Sequence, residues 1–434
     1  MRMYELIHKK KEGGALSREE LSFFVHGVTD GSIPDCQTAA LLMAICLKGM
    51  DTRETADLTL EMLHSGETVD LSGIPGIKAD KHSTGGVGDS TTPIVVPIVA
   101  SCGLRVAKMS GRALGHTGGT IDKLESIPGV RTSLSTEEFV RTVNRVGAAV
   151  ISQTGTLCPA DKKLYALRDL TATVESNALI ASSVMSKKLA SGADVIMLDV
   201  KYGSGAFVKS QEKAAELARL MVDIGTHAGR RVGAVISSME VPLGSAVGNL
   251  LEMYEAADTL CGYGSDDKLT LCVELAAGML QLAGVAEGAG ARRMIREKIE
   301  NGEAFAKLCE MLEAQGGDVA VLREPGKRRY APFSCELKSA QSGYISRMNT
   351  EEIGLCAGML GEARDTEDAA VDPLAGIRFL KKTGDAVDRG ETIAVLYSSE
   401  QKNLVPAQER MYAALSFSER RTGIPPVVCG TVGF

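Results

Sequence analysis

Two segments of the chain combine glycine, hydroxyl and lysine in a way that suits an anion. The first is Asp80-Lys-His-Ser-Thr-Gly-Gly-Val-Gly-Asp-Ser-Thr-Thr92, and the second is Lys108-Met-Ser-Gly-Arg-Ala-Leu-Gly-His-Thr-Gly-Gly-Thr-Ile-Asp-Lys-Leu-Glu125. Glycines let successive backbone N–H groups converge on one anion, because no Cβ holds it off. Ser83, Thr92, Ser110 and Thr120 add O–H donors, and Lys81 and Lys108 add positive charge. A helix starting after either loop directs its N-terminal dipole to the same place. One glycine-rich run is usually a turn; two, each with lysine and hydroxyl neighbours, predict a phosphate clamp. The phosphate does not belong to ATP or a dinucleotide. A Walker loop ending at Gly88 needs Gly in place of Ser83 and Lys in place of Asp89, and a dinucleotide fingerprint from Gly86 needs Gly in place of Thr91.

At 434 residues the chain is long enough for two or three domains. Residues 1–66 read as helices, with capping boxes at Ser17-x-x-Glu20 and Asp51-x-x-Glu54 and Pro34 in the first turn of another. From about 70 the texture changes. Val95-Val96, Val106, Val150-Ile151 and Val195 to Val200 are short apolar runs that read as strands, with helical patterns at Thr136 to Val146 and Lys213 to Ile224 between them. That alternation predicts a mainly parallel sheet covered on both faces. The predicted class is α/β with a separate all-α domain. The helical domain spans 1–66 and is completed by about 162–193; a central α/β phosphate-binding domain spans 70–160 and 194–330. A small α+β unit follows at 335–434, with strands near 336–339, 376–380 and 391–396.

A net charge of −7 argues against general affinity for nucleic acid. Ten cysteines occur singly, without a C-x-x-C pair, which suits a reduced compartment. The amino terminus lacks a signal-peptide core, and the longest uncharged stretch, from about Ser90 to Leu104, holds two prolines and is too short for a membrane span. A cytoplasmic protein, away from membranes, is expected.

The segments Lys81 to Asp89 and Ser110 to Glu125 resemble the two signatures of thymidine and pyrimidine-nucleoside phosphorylases. The likeness continues through Ser182 to Lys188, Asp199 to Phe207 and Pro242 to Asn249, and covers nearly the whole chain. The resemblance implies phosphate binding by Lys81, His82, Ser83, Thr92, Lys108, Met109, Ser110 and Thr120. It implies that Arg168, Ser183 and Lys187 hold the pyrimidine ring, with His82, Arg168 and Lys187 catalytic and His82 beside the base O2. It also implies a potassium ion held by Gly88, Ser90, Leu243, Ala246 and Glu255, no organic cofactor, and a homodimer formed through amino-terminal helices whose apolar faces include Phe23, Phe24 and Leu42. His116, in the second loop, reads as loop-shaping.

The implied reaction is direct attack of phosphate on C1′ of uridine, thymidine or deoxyuridine, giving free base and an α-sugar 1-phosphate with inversion. Closure of the helical domain on the α/β domain is expected, hinged near Leu71 to Ile77, Leu157 to Lys163 and Ala190 to Asp194. Lys108 favours acceptance of ribose, since thymidine-restricted bacterial relatives carry an apolar residue at the matching position. Two rivals are a thymidine-restricted phosphorylase and an anthranilate-type phosphoribosyltransferase. The latter needs acidic residues after the glycine loops to hold magnesium diphosphate, and Asp89 and Asp122 are there. The Arg168, Ser183 and Lys187 set argues against it.

Overall fold

The computed structural model describes residues 1–112, 118–363 and 370–434. Helices α1 (Met3–Lys11), α2 (Arg18–Asp30), α3 (Asp35–Lys48) and α4 (Thr52–Leu63) open the chain as a bundle. Both capping boxes form: Ser17 and Asp51 each accept from the backbone N–H three residues on, and Glu20 and Glu54 reach back to the cap. Phe24, Leu41, Leu42, Ile45, Leu58 and Met62 fill the bundle core, and Phe23 packs against it. Phe24 and Leu42 are therefore not on a free dimer face. A helix with apolar residues on several sides cannot tell core from interface in sequence. The large apolar side chains this bundle does expose are Tyr4, Met43 and Leu47.

The chain continues through β1 (Lys78–Ser83), α5 (Thr92–Ser101), β2 (Arg105–Ser110), α6 (Thr120–Glu125), α7 (Thr136–Val146) and β3 (Ala148–Ser152). Next come α8 (Pro159–Leu170), α9 (Asn177–Ala190), β4 (Val195–Tyr202), α10 (Gln211–His227) and β5 (Arg231–Ser238). Then β6 (Ala246–Val247) precedes α11 (Asn249–Leu260) and α12 (Asp266–Ala283). Val95-Val96, expected as a strand, lies inside α5, where Pro93 takes the first turn and every residue from Thr92 to Ala100 is buried. An uninterrupted apolar run has no period, so it fits a fully buried helix as well as a strand.

Five strands, in the order β5-β4-β1-β2-β3, are parallel. Alternate residues supply two cores: Ala79, Val106, Val150, Val195 and Met197 on one face, Ala107, Met109, Ile151, Ile196 and Leu198 on the other. Helix α9 joins two layers, because Leu179 packs into the bundle while Ala181, Met185 and Leu189 pack on the sheet. Ala160 and Leu164 of α8 also enter the bundle core.

The carboxy-terminal unit contains β7 (Phe333–Lys338), β8 (Gly343–Met348), β9 (Gly376–Phe379), β10 (Ala386–Val387), β11 (Thr392–Ser398) and β12 (Leu415–Ser418). The final strand, β13 (Val428–Val432), leaves that unit and adds antiparallel to β5 at the edge of the central sheet. In the other direction β6 pairs with β9, so the two units are laced together. Among the described residues no helix is long and apolar enough to cross a membrane.

Candidate active site

Strand β1 is where the sheet changes direction: the chain builds β2 and β3 on one side of it, then returns to place β4 and β5 on the other. In open α/β sheets such a switch point leaves a crevice beyond the carboxyl ends of the strands. Lys81, His82 and Ser83 stand at that end of β1, and Lys108, Met109 and Ser110 at that end of β2. Thr92 begins α5 and Thr120 begins α6. The alternation of β1 sends Lys81 and Ser83 to the sheet face that carries Ala79, while Asp80 and His82 go to the face covered by α9.

The lysines are buried and partnered. Lys108 Nζ donates to the Lys81 carbonyl on the neighbouring strand and lies 3.7 Å from Asp80. Lys81 Nζ donates to Thr91 Oγ1 and lies 3.6 Å from Asp199. Ser83 and Thr91 both donate to Asp89, which also faces Lys201 at 3.8 Å. Burial alone would raise the Asp89 pKa, but Lys201, Lys81 and Lys123 outweigh it and hold the carboxyl well below its usual range. Lys108 behaves oppositely. Burial first, then the Lys188 and Lys81 ammoniums, outweigh Asp80 and bring its pKa down to about 7. A lysine that titrates near neutrality is a responsive partner for an anion.

On the other face, Asp80 accepts from Lys188 Nζ at 2.8 Å and from Ser191 Oγ at 3.3 Å, while Lys188 also donates to the Met109 carbonyl at 2.7 Å. This triad ties β1, β2 and α9 beneath His82. Burial first, and then Lys188, Lys108, Lys187 and Lys81, hold the His82 imidazole well below the ordinary histidine value. At neutral pH it is therefore an uncharged ring with one N–H to donate.

Ser183 and Lys187 are one turn apart on α9, and Lys187 Nζ donates to Ser183 Oγ at 3.1 Å and to Asp161 of α8. Arg168 is buried; it gives three of its five N–H donors to the carbonyls of Thr173, Val174 and Leu179, at 3.3, 2.7 and 3.1 Å. Its guanidinium carbon lies 5.5 Å from the Tyr165 ring centre, and Lys187 Nζ lies 6.0 Å from the same centre. The three base-side residues thus share one region around Tyr165. Arg168 points at main-chain carbonyls between α8 and the first turn of α9 in this structure.

The five residues expected around potassium also meet. Gly88 has φ +74°, and a Cβ there would lie 2.3 Å from the Leu243 carbonyl and 3.0 Å from that of Ala246. Only glycine allows this approach. The set does not fit a resident ion, however. Its single carboxylate, Glu255, accepts from Ser245 N–H and Oγ on one oxygen and from Lys268 Nζ on the other. Lys268 Nζ also donates to Ser90 Oγ at 2.7 Å. A second cation there would face an ammonium.

Sequence reasoning gave no role to Asp80, Asp161, Lys188, Lys201 or Lys268. Asp80, Lys188 and Lys201 lie inside the motifs quoted above, but nothing local names their partners. Asp161 and Lys268 have no comparable local signal. His116 and the centre of the second loop lie outside the described residues.

A helical bundle, an α/β sheet with an anion-suited switch point and an appended α+β unit define a class of sugar-transferring enzymes. Residues 4–66 match the family description "Glycosyl transferase family, helical bundle domain", and residues 76–305 match "Glycosyl transferase family, a/b domain". Residues 344–418 match "Pyrimidine nucleoside phosphorylase C-terminal domain". The chain is 49% identical over 429 residues to a pyrimidine-nucleoside phosphorylase of Geobacillus stearothermophilus, covering 99% of both chains. It is 52% identical over 402 residues to that of Bacillus subtilis, covering 92% of this chain and 93% of the relative. The chain belongs to the pyrimidine-nucleoside phosphorylase family. A solved anthranilate phosphoribosyltransferase from Thermus thermophilus shares the fold, with a TM-score of 0.57 at 19% identity over 71% of this chain and 99% of that one.

Proposed function

We propose that the chain transfers the pentosyl group of a pyrimidine nucleoside to inorganic phosphate, releasing the free base and an α-sugar 1-phosphate. The observation that carries this reading is the position of His82. It stands between Lys81 and Ser83, and the charge of Lys187, on the base side, adds to burial, Lys188 and Lys108 in lowering its pKa. Phosphate rests against Lys81, Ser83, Thr92, Lys108, Ser110 and Thr120 and attacks C1′ from the face opposite the base. His82 donates its N–H to O2, and Lys187 and Arg168 take charge from the pyrimidine carbonyls. Each such preorganised donor contributes roughly 3–4 kcal/mol to the transition state.

Uridine, thymidine and deoxyuridine are the proposed substrates, because the Lys108 ammonium suits a ribose 2′-OH as well as phosphate. Uracil release followed by absorbance, with and without phosphate, tests the reading. Release requires phosphate, and phosphate-independent hydrolysis overturns the mechanism; turnover of thymidine without uridine leaves the thymidine-restricted enzyme. A diphosphate-transferring rival is disfavoured by charge. Asp89 is committed to Lys201 and Lys81, and Asp122 is paired with Arg112 at 2.9 Å. The cytoplasm is the proposed compartment, and a homodimer is the proposed assembly. Tyr4, Met43 and Leu47 are exposed apolar side chains of the bundle, and a monomer mass by light scattering would remove the dimer.

Lys108 makes phosphate binding a proton-uptake event. With its pKa at about 7 it is mostly neutral at pH 8, and a bound dianion raises that value. Calorimetric titration of phosphate at pH 8, in two buffers of different ionisation heat, shows uptake approaching about one proton. At pH 6, where the lysine is already charged, its share of the uptake disappears. Lys108→Met abolishes the uptake at pH 8; no uptake in the wild type refutes the assignment.

A further inference from the structure

We propose that Lys268 is a built-in replacement for a monovalent cation, so that this enzyme works without potassium. Lys268 is fully buried near the start of α12, 178 residues from Ser90. Its ammonium bridges Glu255 of α11 to the Ser90 hydroxyl, inside the pocket where Gly88, Leu243 and Ala246 turn toward one another. Everything around it is shaped to admit the amine. Gly244 has φ +77°, and a Cβ there would lie 2.6 Å from Lys268 Nζ and 2.4 Å from Glu255 Oε1. The Gly88 carbonyl already accepts from Ser90 N–H at 2.9 Å. One tethered +1 charge thus meets one carboxylate and one hydroxyl, and the ion pair needs no dissolved ion to neutralise it.

The position gives this charge a task. Ser90 follows Asp89, the acceptor for Ser83 and Thr91, and precedes Thr92 by two residues. Holding Ser90 against α11 and α12 therefore fixes the turn that carries Thr92 and holds Asp89, the acceptor for Ser83. Lys268 is a positioning residue, acting on phosphate through the 88–92 turn. Its position also bears on the join between units. Gly244 N–H donates to Asp267 at 3.1 Å, and Asp267 pairs with Lys382 of the carboxy-terminal unit at 2.6 Å.

Only the kinetic arm of the test rests on the phosphorolysis reading. Thermal unfolding of the wild-type protein in potassium, sodium and choline chloride at one ionic strength gives the same midpoint, because a protein that binds no potassium gains nothing from it. The phosphorolysis rate is likewise unchanged across the three salts. A midpoint or rate that rises in potassium alone overturns the proposal, whatever reaction the enzyme catalyses. Lys268→Ala and Lys268→Met, which open the pocket, gain what the wild type lacks. Their unfolding midpoints rise in potassium or ammonium relative to choline, and the KM for phosphate, raised about tenfold on the scale of one charged hydrogen bond, recovers with the midpoint. Equal losses in every salt assign Lys268 a merely structural role and also reject the inference. If neither variant folds, the wild-type salt comparison still decides.

Discussion

Lys187→Met lowers kcat/KM for uridine phosphorolysis by roughly two to three orders of magnitude, the scale seen when one preorganised donor to developing charge is removed. The reaction leaves negative charge on the departing pyrimidine, and Lys187 is the partly exposed cation of the base-side cluster, close enough to depress the His82 pKa. The simple variant also disturbs the fold. Asp161 is nearly buried, and its Oδ1 has no hydrogen-bond partner among the described residues, so Lys187 is its principal compensation. Removing the lysine leaves an uncompensated carboxylate, and the unfolding midpoint falls with the activity. Lys187→Met combined with Asp161→Asn separates the two effects: the midpoint recovers while kcat/KM stays low. A single variant within about threefold of wild-type kcat/KM would remove Lys187 from the chemistry, since a true transition-state donor is worth far more.

This pairing shows what the sequence could and could not reveal. Local signals survived folding. Both amino-terminal capping boxes formed, and the amphipathic stretch Thr136 to Val146 became α7 over the same residues. The two glycine loops were legible because their lysines, hydroxyls and glycines lie within a few residues of one another. Where periodicity was missing, as in the β-branched run of α5, composition could not choose between helix and strand. Partners distant in sequence were equally hidden. Lys188 meets Asp80 across 108 positions, and Lys268 meets Ser90 across 178. No spacing rule reports such contacts; they exist because a buried ammonium must find a counter-charge, and the fold decides which one. The return of β13 to the central sheet belongs to the same class, a pairing between segments almost 200 residues apart.

Those long-range pairs predict where stability concentrates. Asp80→Asn costs about 3–5 kcal/mol in denaturant unfolding, because it keeps the size of the side chain but strands two buried ammoniums. Asp80 is fully buried, and besides Lys188 and Ser191 its carboxylate accepts the Lys81 N–H at 2.7 Å, so the side chain also braces the backbone of the anion loop. The deficit changes with pH in a direction fixed by Lys108. That lysine's folded pKa, about 7, is depressed below its unfolded value, so the folded protein releases its proton first and its own unfavourable charge is relieved as pH rises. Below 7 the wild type gains from the Asp80–Lys108 attraction and the variant does not. Above 7 the lysine is neutral in both, and that part of the difference fades while the Lys188 part remains. The gap between wild type and Asp80→Asn therefore narrows between about pH 6 and pH 9 without closing. Lys188→Met identifies the remainder: combined with Asp80→Asn, it adds much less than its separate cost, since each has already broken the other's bond. A gap that widens with pH, or fully additive losses, would mean that the charge network beneath His82 is not held together by Asp80.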